Sequence, residues 1–369
     1  MKNPLIELEK FEQSVWLDNI NRDMLVKGEL KKLRDEDGLK GVTSNPSIFQ
    51  KAMGSGQAYD AQIKEILSDN PNISSENLFE ELAVKDIQDA TDVLKPVYDN
   101  SKGKDGFVSI EVSPELAYDT EGTIAEAIRL NRKVNRPNVM IKIPATQEGL
   151  PAIRKMISEG VSINVTLIFS PTVYEQVVDA YINGLEDRIK NDQSIKNISS
   201  VASFFISRID SAVDKHLELK GNKDLQGKIA IANAKLVYQS AKRLFNSPRF
   251  KNLERAGAKK QRLLWASTST KNPEYPDVLY VEELIGKDTV NTLPPATLNA
   301  YRDHGKPEDR IETNLDVAKS QMKKIAELKI DFEAVTRKLT DDGVVLFSEA
   351  YKDLINAIEK KKNEVLQIV

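Results

Sequence analysis

A lysine interrupts an apolar run at Val139-Met140-Ile141-Lys142-Ile143. An ammonium group taken out of water costs several kcal/mol unless it is paired or gives up its proton. Three further reactive groups occupy comparable places in other strand-like runs: Asp18 in SVWLDN, Glu111 in GFVSIEVS and Thr166 in SINVTLIF. Desolvation of an amine favours its neutral form, and a neutral amine attacks a carbonyl to give a Schiff base. The protonated imine is an electron sink, which cleavage of a carbon–carbon bond beside a ketone requires. Glu111 and Thr166 can carry the proton traffic of imine formation through a water, and Asp18 can take a hydroxyl proton as the bond breaks. The plain alternative is an ion pair of Lys142 with Asp18 or Glu111. Charge alone leaves both open.

Such a set must be brought together by its strands. Strand-like runs lie at 14–19, 40–46, 106–113, 138–144, 162–169, 200–205, 262–268 and 289–295. Amphipathic helical spacing separates them. In 172–190, Val173, Val177, Tyr181, Leu185 and Ile189 share a face, with Ser170 as cap and Pro171 at the first helical position. Similar faces occur in 149–160, ended by Gly160, and in 228–246. Eight βα alternations predict an α/β fold: a closed (β/α)8 TIM barrel with additional helices in insertions and at the C-terminus. An open doubly wound sheet is the alternative, but no Gly-rich phosphate loop follows the first strand. The insertions fall at 47–105 and 206–261. The expected organisation is one barrel domain over 1–369, with strands within about 14–295 and a helical extension over about 296–369. The last stretch, IEKKKNEVLQIV, reads as a solvated helix.

Strand residues alternate between faces. Alternation sends Trp16 and Asp18 inward from strand one, Thr43 and Asn45 from strand two, Ser109 and Glu111 from strand three, and Met140 and Lys142 from strand four. It adds Asn164 and Thr166 from strand five, with Ile163, Val165, Leu167 and Phe169 turned to the helices. Ser203 and Phe205 follow from strand six, and Trp265, Ser267 and Ser269 from strand seven. A single inward polar residue is an ordinary satisfied core group. Polar residues on one face of at least five strands, mostly in the later half of each, predict a pocket at the end of the barrel where active sites form.

Composition narrows the chemistry. The chain has no cysteine and only two histidines, which excludes disulfides, thiolate catalysis and a multi-histidine metal site. A net charge of −3 gives no footprint for nucleic acid or a lipid surface as partner. The N-terminus has no signal-peptide pattern and no apolar run approaches a membrane span, so the expected compartment is the cytoplasm.

The motifs WLDNINRD, GVTSNPSIF, SIEVSPELAYDT, MIKIPATQEGL, INVTLIFS, VASFFISRID and LLWASTSTKNPEY occur in the order found in transaldolases. These are class I aldolases of the non-oxidative pentose phosphate pathway. The chain resembles their longer bacterial form over nearly its whole length, with a motif from each of the first seven strands. The resemblance implies transfer of a dihydroxyacetone unit from sedoheptulose 7-phosphate to glyceraldehyde 3-phosphate, giving erythrose 4-phosphate and fructose 6-phosphate. It implies Lys142 as the Schiff-base lysine, Asp18 as the acid/base for cleavage, and Glu111 and Thr166 as holders of the catalytic water. Thr43, Asn45, Asn164 and Ser203 would bind the hydroxyls of the dihydroxyacetone unit. Arg208 would hold the phosphate, with Ser267 assisting. No metal or organic cofactor is implied; the partners are sugar phosphates, and the chain would work as a monomer or homodimer.

Each of these positions has a bland alternative. Asn45 before Pro46 shapes a turn, Arg208 pairs with Asp210 on a helix surface, and Ser203, Ser267 and Phe205 are plain packing residues. Phe205 bears on the reaction type, because related enzymes that release free dihydroxyacetone tend to carry tyrosine there. The chain departs from many transaldolases after Ser267: Ser267-Thr268-Ser269-Thr270-Lys271 contains no arginine. Lys271 or the hydroxyls, Ser269 among them, would take that share of the phosphate, as a point charge without a guanidinium fork. Two other functions fit the residues less fully: a fructose 6-phosphate aldolase, and a non-catalytic sugar-phosphate binder.

Overall fold

The computed structural model describes residues 3–54 and 56–366. Eight parallel strands close into a barrel in sequence order, β8 pairing with β1. They are β1 (Gln13–Leu17), β2 (Gly41–Val42), β3 (Phe107–Glu111), β4 (Val139–Pro144), β5 (Ile163–Ile168), β6 (Ser200–Phe205), β7 (Arg262–Ala266) and β8 (Thr289–Leu293). Every residue of β4, β5 and β6 is buried, as strands covered on both faces must be. All eight expected strands are present.

The connecting helices follow their predicted spacing. They include α1 (Glu29–Glu36), α2 (Pro46–Met53), α3 (Ser75–Asn100), α4 (Thr120–Val134), α5 (Gly149–Ser158), α6 (Pro171–Lys190), α7 (Ser207–Leu219), α8 (Ile229–Phe245) and α9 (Leu279–Glu283). Ser170 caps α6 by accepting from the Val173 N–H at 3.2 Å, with Pro171 at the first position. The first insertion contributes α2 and α3, and α3 packs against β3. After β8 come α10 (Pro295–His304), α11 (Leu315–Glu327) and the long α12 (Phe332–Leu366). The last three residues of the expected extension lie outside the described ones. Among the described residues no helix is long and apolar enough to cross a membrane.

The N-terminal end of the barrel is plugged. Trp16 fills the interior over Gly41, where a Cβ would lie 2.3 Å from the indole, so that position requires glycine. Below it, Asp105 accepts from Trp16 Nε1 at 3.1 Å and from Arg262 Nη2 at 2.7 Å, and both ion-pair partners are buried. The other end of the barrel is therefore the one left for chemistry.

Three strands depart from the predicted alternation. β2 pairs only at Gly41 and Val42; Thr43 still donates its N–H to Leu17 O, and Asn45 then caps α2 through the Ile48 N–H. In β5 the register shifts between Val165 and Ile168, with Leu167 at φ 59°. Ile168 then pairs with Phe204, so Leu167 and Phe169 swing to the inner side, contrary to the expectation that they face the helices. The Phe169 ring lies 5.3 Å from that of Phe205. In β7 the predicted faces are reversed. Leu264 is the ladder partner of Ser203, and Trp265 that of Phe204, whose ring it meets edge-on at 6.2 Å. Parallel ladder partners share a face, so Trp265 points outward. Ser267, at φ 56°, ends the strand and breaks the alternation.

The described part of the last stretch, 358–366, is the largely solvent-facing helix expected, with only Ile358 and Val365 buried, but the same helix buries a face further upstream. Val344, Phe347 and Leu354 are buried there. Helix α12 runs across the open end of the barrel, packing on α2, α3, α7 and β5.

Candidate active site

The ladder itself assembles the centre. Glu111 pairs with Lys142 and Lys142 with Asn164, so three inward side chains stand side by side on β3, β4 and β5. One step above, Thr166 is the partner of Pro144. Lys142 is only 5% exposed. Its Nζ donates to the Ser44 carbonyl at 3.2 Å and stands 3.4 Å from Glu111 Oε2. The carboxyl of the predicted ion pair is thus present, but 3.4 Å is well beyond the roughly 2.8 Å of a tight charge-assisted bond. Burial is the largest influence on Glu111 and lifts its carboxyl above the usual range; the Lys142 charge opposes this. The pair is a long one, with burial working against the charge on Glu111. Thr166 Oγ1 is buried and finds no hydrogen-bond partner among the described residues. An unsatisfied buried hydroxyl costs about 1–3 kcal/mol, and facing this group it is available to a water or a substrate oxygen.

Asp18 follows β1 and continues its ladder through Asp18 N to Leu293 O. Its carboxyl borders a cleft yet is desolvated enough for burial to raise its affinity for a proton. Lys142, Thr43 and Lys271 pull the other way, in that order. Thr43 donates to Asp18 Oδ1 at 2.6 Å and its oxygen lies 2.7 Å from the Thr292 hydroxyl. With Asp18 ionised, Thr292 donates to Thr43. Thr292, on β8, was missed because that strand carries no family motif.

The proposed hydroxyl ligands form a second string. Ser203 donates to Asn164 Oδ1 at 2.7 Å, and Asn164 Nδ2 donates to Ser109 Oγ at 3.0 Å. Asn45 does cap α2, as its bland reading had it, and it also lines the same cleft as Asp18.

The cationic end is unlike the surface pair considered for Arg208. Asp210 turns away: Oδ1 accepts from the Ala230 N–H at 2.7 Å and Oδ2 from the Tyr280 hydroxyl at 2.9 Å. Arg208 forms no ion pair among the described residues, and its guanidinium sits 5.4 Å from the centre of the Phe205 ring. Burial lowers its affinity for its proton. Lys271 donates to Ser269 Oγ at 2.9 Å; burial, and next the charge of Arg208, lower its own proton affinity. Lys271 also feels the charge of Asp18. Asp18, Asn45, Lys51, Ser269 and Lys271 border one cleft of about 700 Å³. Ser267 lies beside this group, its hydroxyl 2.9 Å from that of Ser207 at the start of α7.

Asp210 also yields a stability prediction. Burial, and then the charge of Asp214, push its carboxyl from 3.8 to about 7. The folded state holds that proton more tightly than the unfolded chain. Its contribution is therefore fully present below the unfolded value and is lost as pH rises through about 7. Denaturant titrations should show Asp210→Asn gaining about 3 kcal/mol relative to the parent from about pH 5 to about pH 8. A difference independent of pH would refute the assignment.

The roof is the feature least expected. Phe347 of α12 places its ring centre 5.6 Å from Lys142 Nζ. One turn earlier, Gly343 approaches so closely that a Cβ there would lie 2.8 Å from Leu167 Cδ2 and 3.6 Å from Arg208 Nη1. The spacing of Val344, Phe347, Tyr351, Leu354 and Ile358 was the available signal for a buried helix face.

Residues 15–358 match the family described as Transaldolase/Fructose-6-phosphate aldolase. The chain is 46% identical to a transaldolase of Trichodesmium erythraeum, with 99% of each chain covered. It is 45% identical to transaldolase 2 of a Nostoc species, over 97% of each, and 44% identical to a transaldolase of Thiobacillus denitrificans, over 95% of this chain and 98% of that one.

Proposed function

The chain belongs to the transaldolase/fructose-6-phosphate aldolase family and is a transaldolase, and from that premise we propose how its own residues divide the reaction. Lys142 Nζ, in its neutral form, attacks the ketone carbon of sedoheptulose 7-phosphate. Glu111 and Thr166 hold a water that delivers a proton to the departing hydroxyl, leaving a protonated imine. Asp18 takes the proton of the C4 hydroxyl, the C3–C4 bond breaks, and erythrose 4-phosphate leaves. The bonding pair stays on the three-carbon fragment as an enamine of Lys142. That carbon attacks the aldehyde of glyceraldehyde 3-phosphate, Asp18 returns its proton to the new alkoxide, and hydrolysis of the imine frees fructose 6-phosphate. Thr43, Asn45, Asn164 and Ser203 meet the hydroxyls of the three-carbon unit. Arg208 and Lys271, with Ser267 and Ser269, meet the phosphate, near the start of α7, where the helix dipole favours an anion.

The observation that carries this reading is the ladder layer Glu111–Lys142–Asn164, with a buried amine and no tight carboxylate partner. Phe205 supports transfer over release, since its ring offers no hydroxyl to guide a water to the enamine. We assign the working unit to a monomer or homodimer, because one barrel supplies every residue named, and the reaction to the cytoplasm on the strength of the family membership. Product analysis tests the reaction type. Fructose 6-phosphate alone should release no dihydroxyacetone at steady state, while added erythrose 4-phosphate should give sedoheptulose 7-phosphate. Free dihydroxyacetone accumulating at the same rate with or without acceptor would instead make the chain an aldolase.

A further inference from the structure

Helix α7 carries two aspartates one turn apart, and each receives a tyrosine hydroxyl from the chain that follows β7. Tyr280 donates to Asp210 Oδ2 at 2.9 Å, and Tyr275 to Asp214 Oδ2 at 2.7 Å. The remaining oxygen of each takes a backbone N–H from the start of α8 or the turn before it: Ala230 to Asp210 at 2.7 Å and Gly227 to Asp214 at 3.1 Å. The Tyr275 ring rests on Gly227, at φ 70°, where a Cβ would lie 2.8 Å from it. Two chain segments are therefore gathered onto one face of α7.

Helix α7 and one of those segments bear the cations of the phosphate end. Arg208 stands in the first turn of α7. Lys271 and Ser269 lie on the loop between β7 and α9, a few residues before Tyr275. Arg208 and Lys271 repel each other, and Arg208 has no carboxylate to offset it among the described residues. Like charges drift apart unless their backbones are fixed, and a loop of this length is otherwise free to carry Lys271 into solvent.

We infer that the Asp214–Tyr275 hydrogen bond is a positioning device for the phosphate subsite, fastening the Lys271 loop to the Arg208 helix so that both cations meet one phosphate dianion. The inference rests on the reading of Arg208 and Lys271 as phosphate ligands. Tyr275 touches no substrate in this role; it acts through Lys271. The gain is preorganisation, because the loop is ordered before the sugar phosphate arrives.

Tyr275→Phe keeps the ring on Gly227 and deletes only the hydroxyl. Loss of one hydrogen bond to a carboxylate should raise KM for fructose 6-phosphate about five- to tenfold, with kcat within about twofold. The inhibition constant of inorganic phosphate should rise in step, while borohydride trapping of the imine with unphosphorylated fructose stays unchanged. In a Lys271→Ala background the same substitution should add nothing further. Arg208→Ala, measured alongside, separates the two levels of the argument. If Arg208→Ala raises KM for the phosphorylated sugar and Tyr275→Phe does not, the positioning role is overturned and the phosphate site stands. If neither moves it, both fall. A Tyr275→Phe defect that persists in the Lys271→Ala background, or that extends equally to fructose, marks general loosening and also overturns the inference.

Discussion

Borohydride added with fructose 6-phosphate will fix a reduced adduct on Lys142 and on no other lysine, and Lys142→Met will acquire none while losing about 10⁴-fold or more in turnover. Methionine keeps most of the volume, so the barrel should still fold. Selectivity among the lysines follows from local geometry. Most of those in ion pairs lie on the surface and meet no enclosed carbonyl. Lys235 is the instructive comparison: it is as buried as Lys142, but its Nζ is held 3.0 Å from Glu283 and also donates to the Thr313 carbonyl. Lys142 instead has Glu111 at 3.4 Å, a carboxyl that burial inclines toward its protonated form, with Asn164 as its other ladder neighbour. Burial is common to both lysines; freedom from a tight counter-ion belongs to Lys142. Peptide mapping after reduction decides the point. An adduct on Lys235, or full turnover in Lys142→Met, would end the assignment.

Asp18→Ala is expected to divide the reaction in two. Imine trapping should proceed at close to the parent rate, while release of erythrose 4-phosphate in a single turnover slows by about 10²–10⁴-fold. In the proposed division of the reaction, Asp18 serves cleavage and not amine attack. It directly follows β1, takes a hydrogen bond from Thr43 at 2.6 Å, and borders the cleft that Lys271 shares. Desolvation raises its affinity for a proton above that of a free aspartate, which strengthens it as a base toward a sugar hydroxyl. Thr43 and Thr292 hold the carboxylate in one orientation from behind. Equal losses in trapping and cleavage would show that Asp18 acts earlier, on the attack itself.

The strand pattern gave the inward face of β3, β4 and the first half of β5 because those strands are regular. Strict alternation there carries Ser109, Glu111, Lys142 and Asn164 to one face, and the ladder register aligns them. The reading failed where a non-glycine residue adopts a left-handed backbone. Leu167 and Ser267 both do so, and each breaks the period-2 count on which facing was argued. Neither residue type announces that conformation. Trp265 was assigned inward on strand seven by counting from serines that lie past the end of the regular strand. The roof was legible in principle from the spacing of Phe347 and its neighbours. A hydrophobic face names no partner by itself, however, and only the closed barrel shows what α12 covers. Arg208 was placed by resemblance. That Asp210 would turn to Ala230 and Tyr280 depends on contacts across the sequence that no local motif encodes.

Phe347 belongs to the last helix of the described chain to leave the ribosome. By the time residue 332 is joined, all eight strands and Lys142 have already been made, and the covering over its amine has not. N-terminal parts of a chain fold first during synthesis. A nascent barrel therefore presents Lys142 to whatever carbonyl compounds are dissolved around it, and the enclosure over it arrives only once α12 has been made.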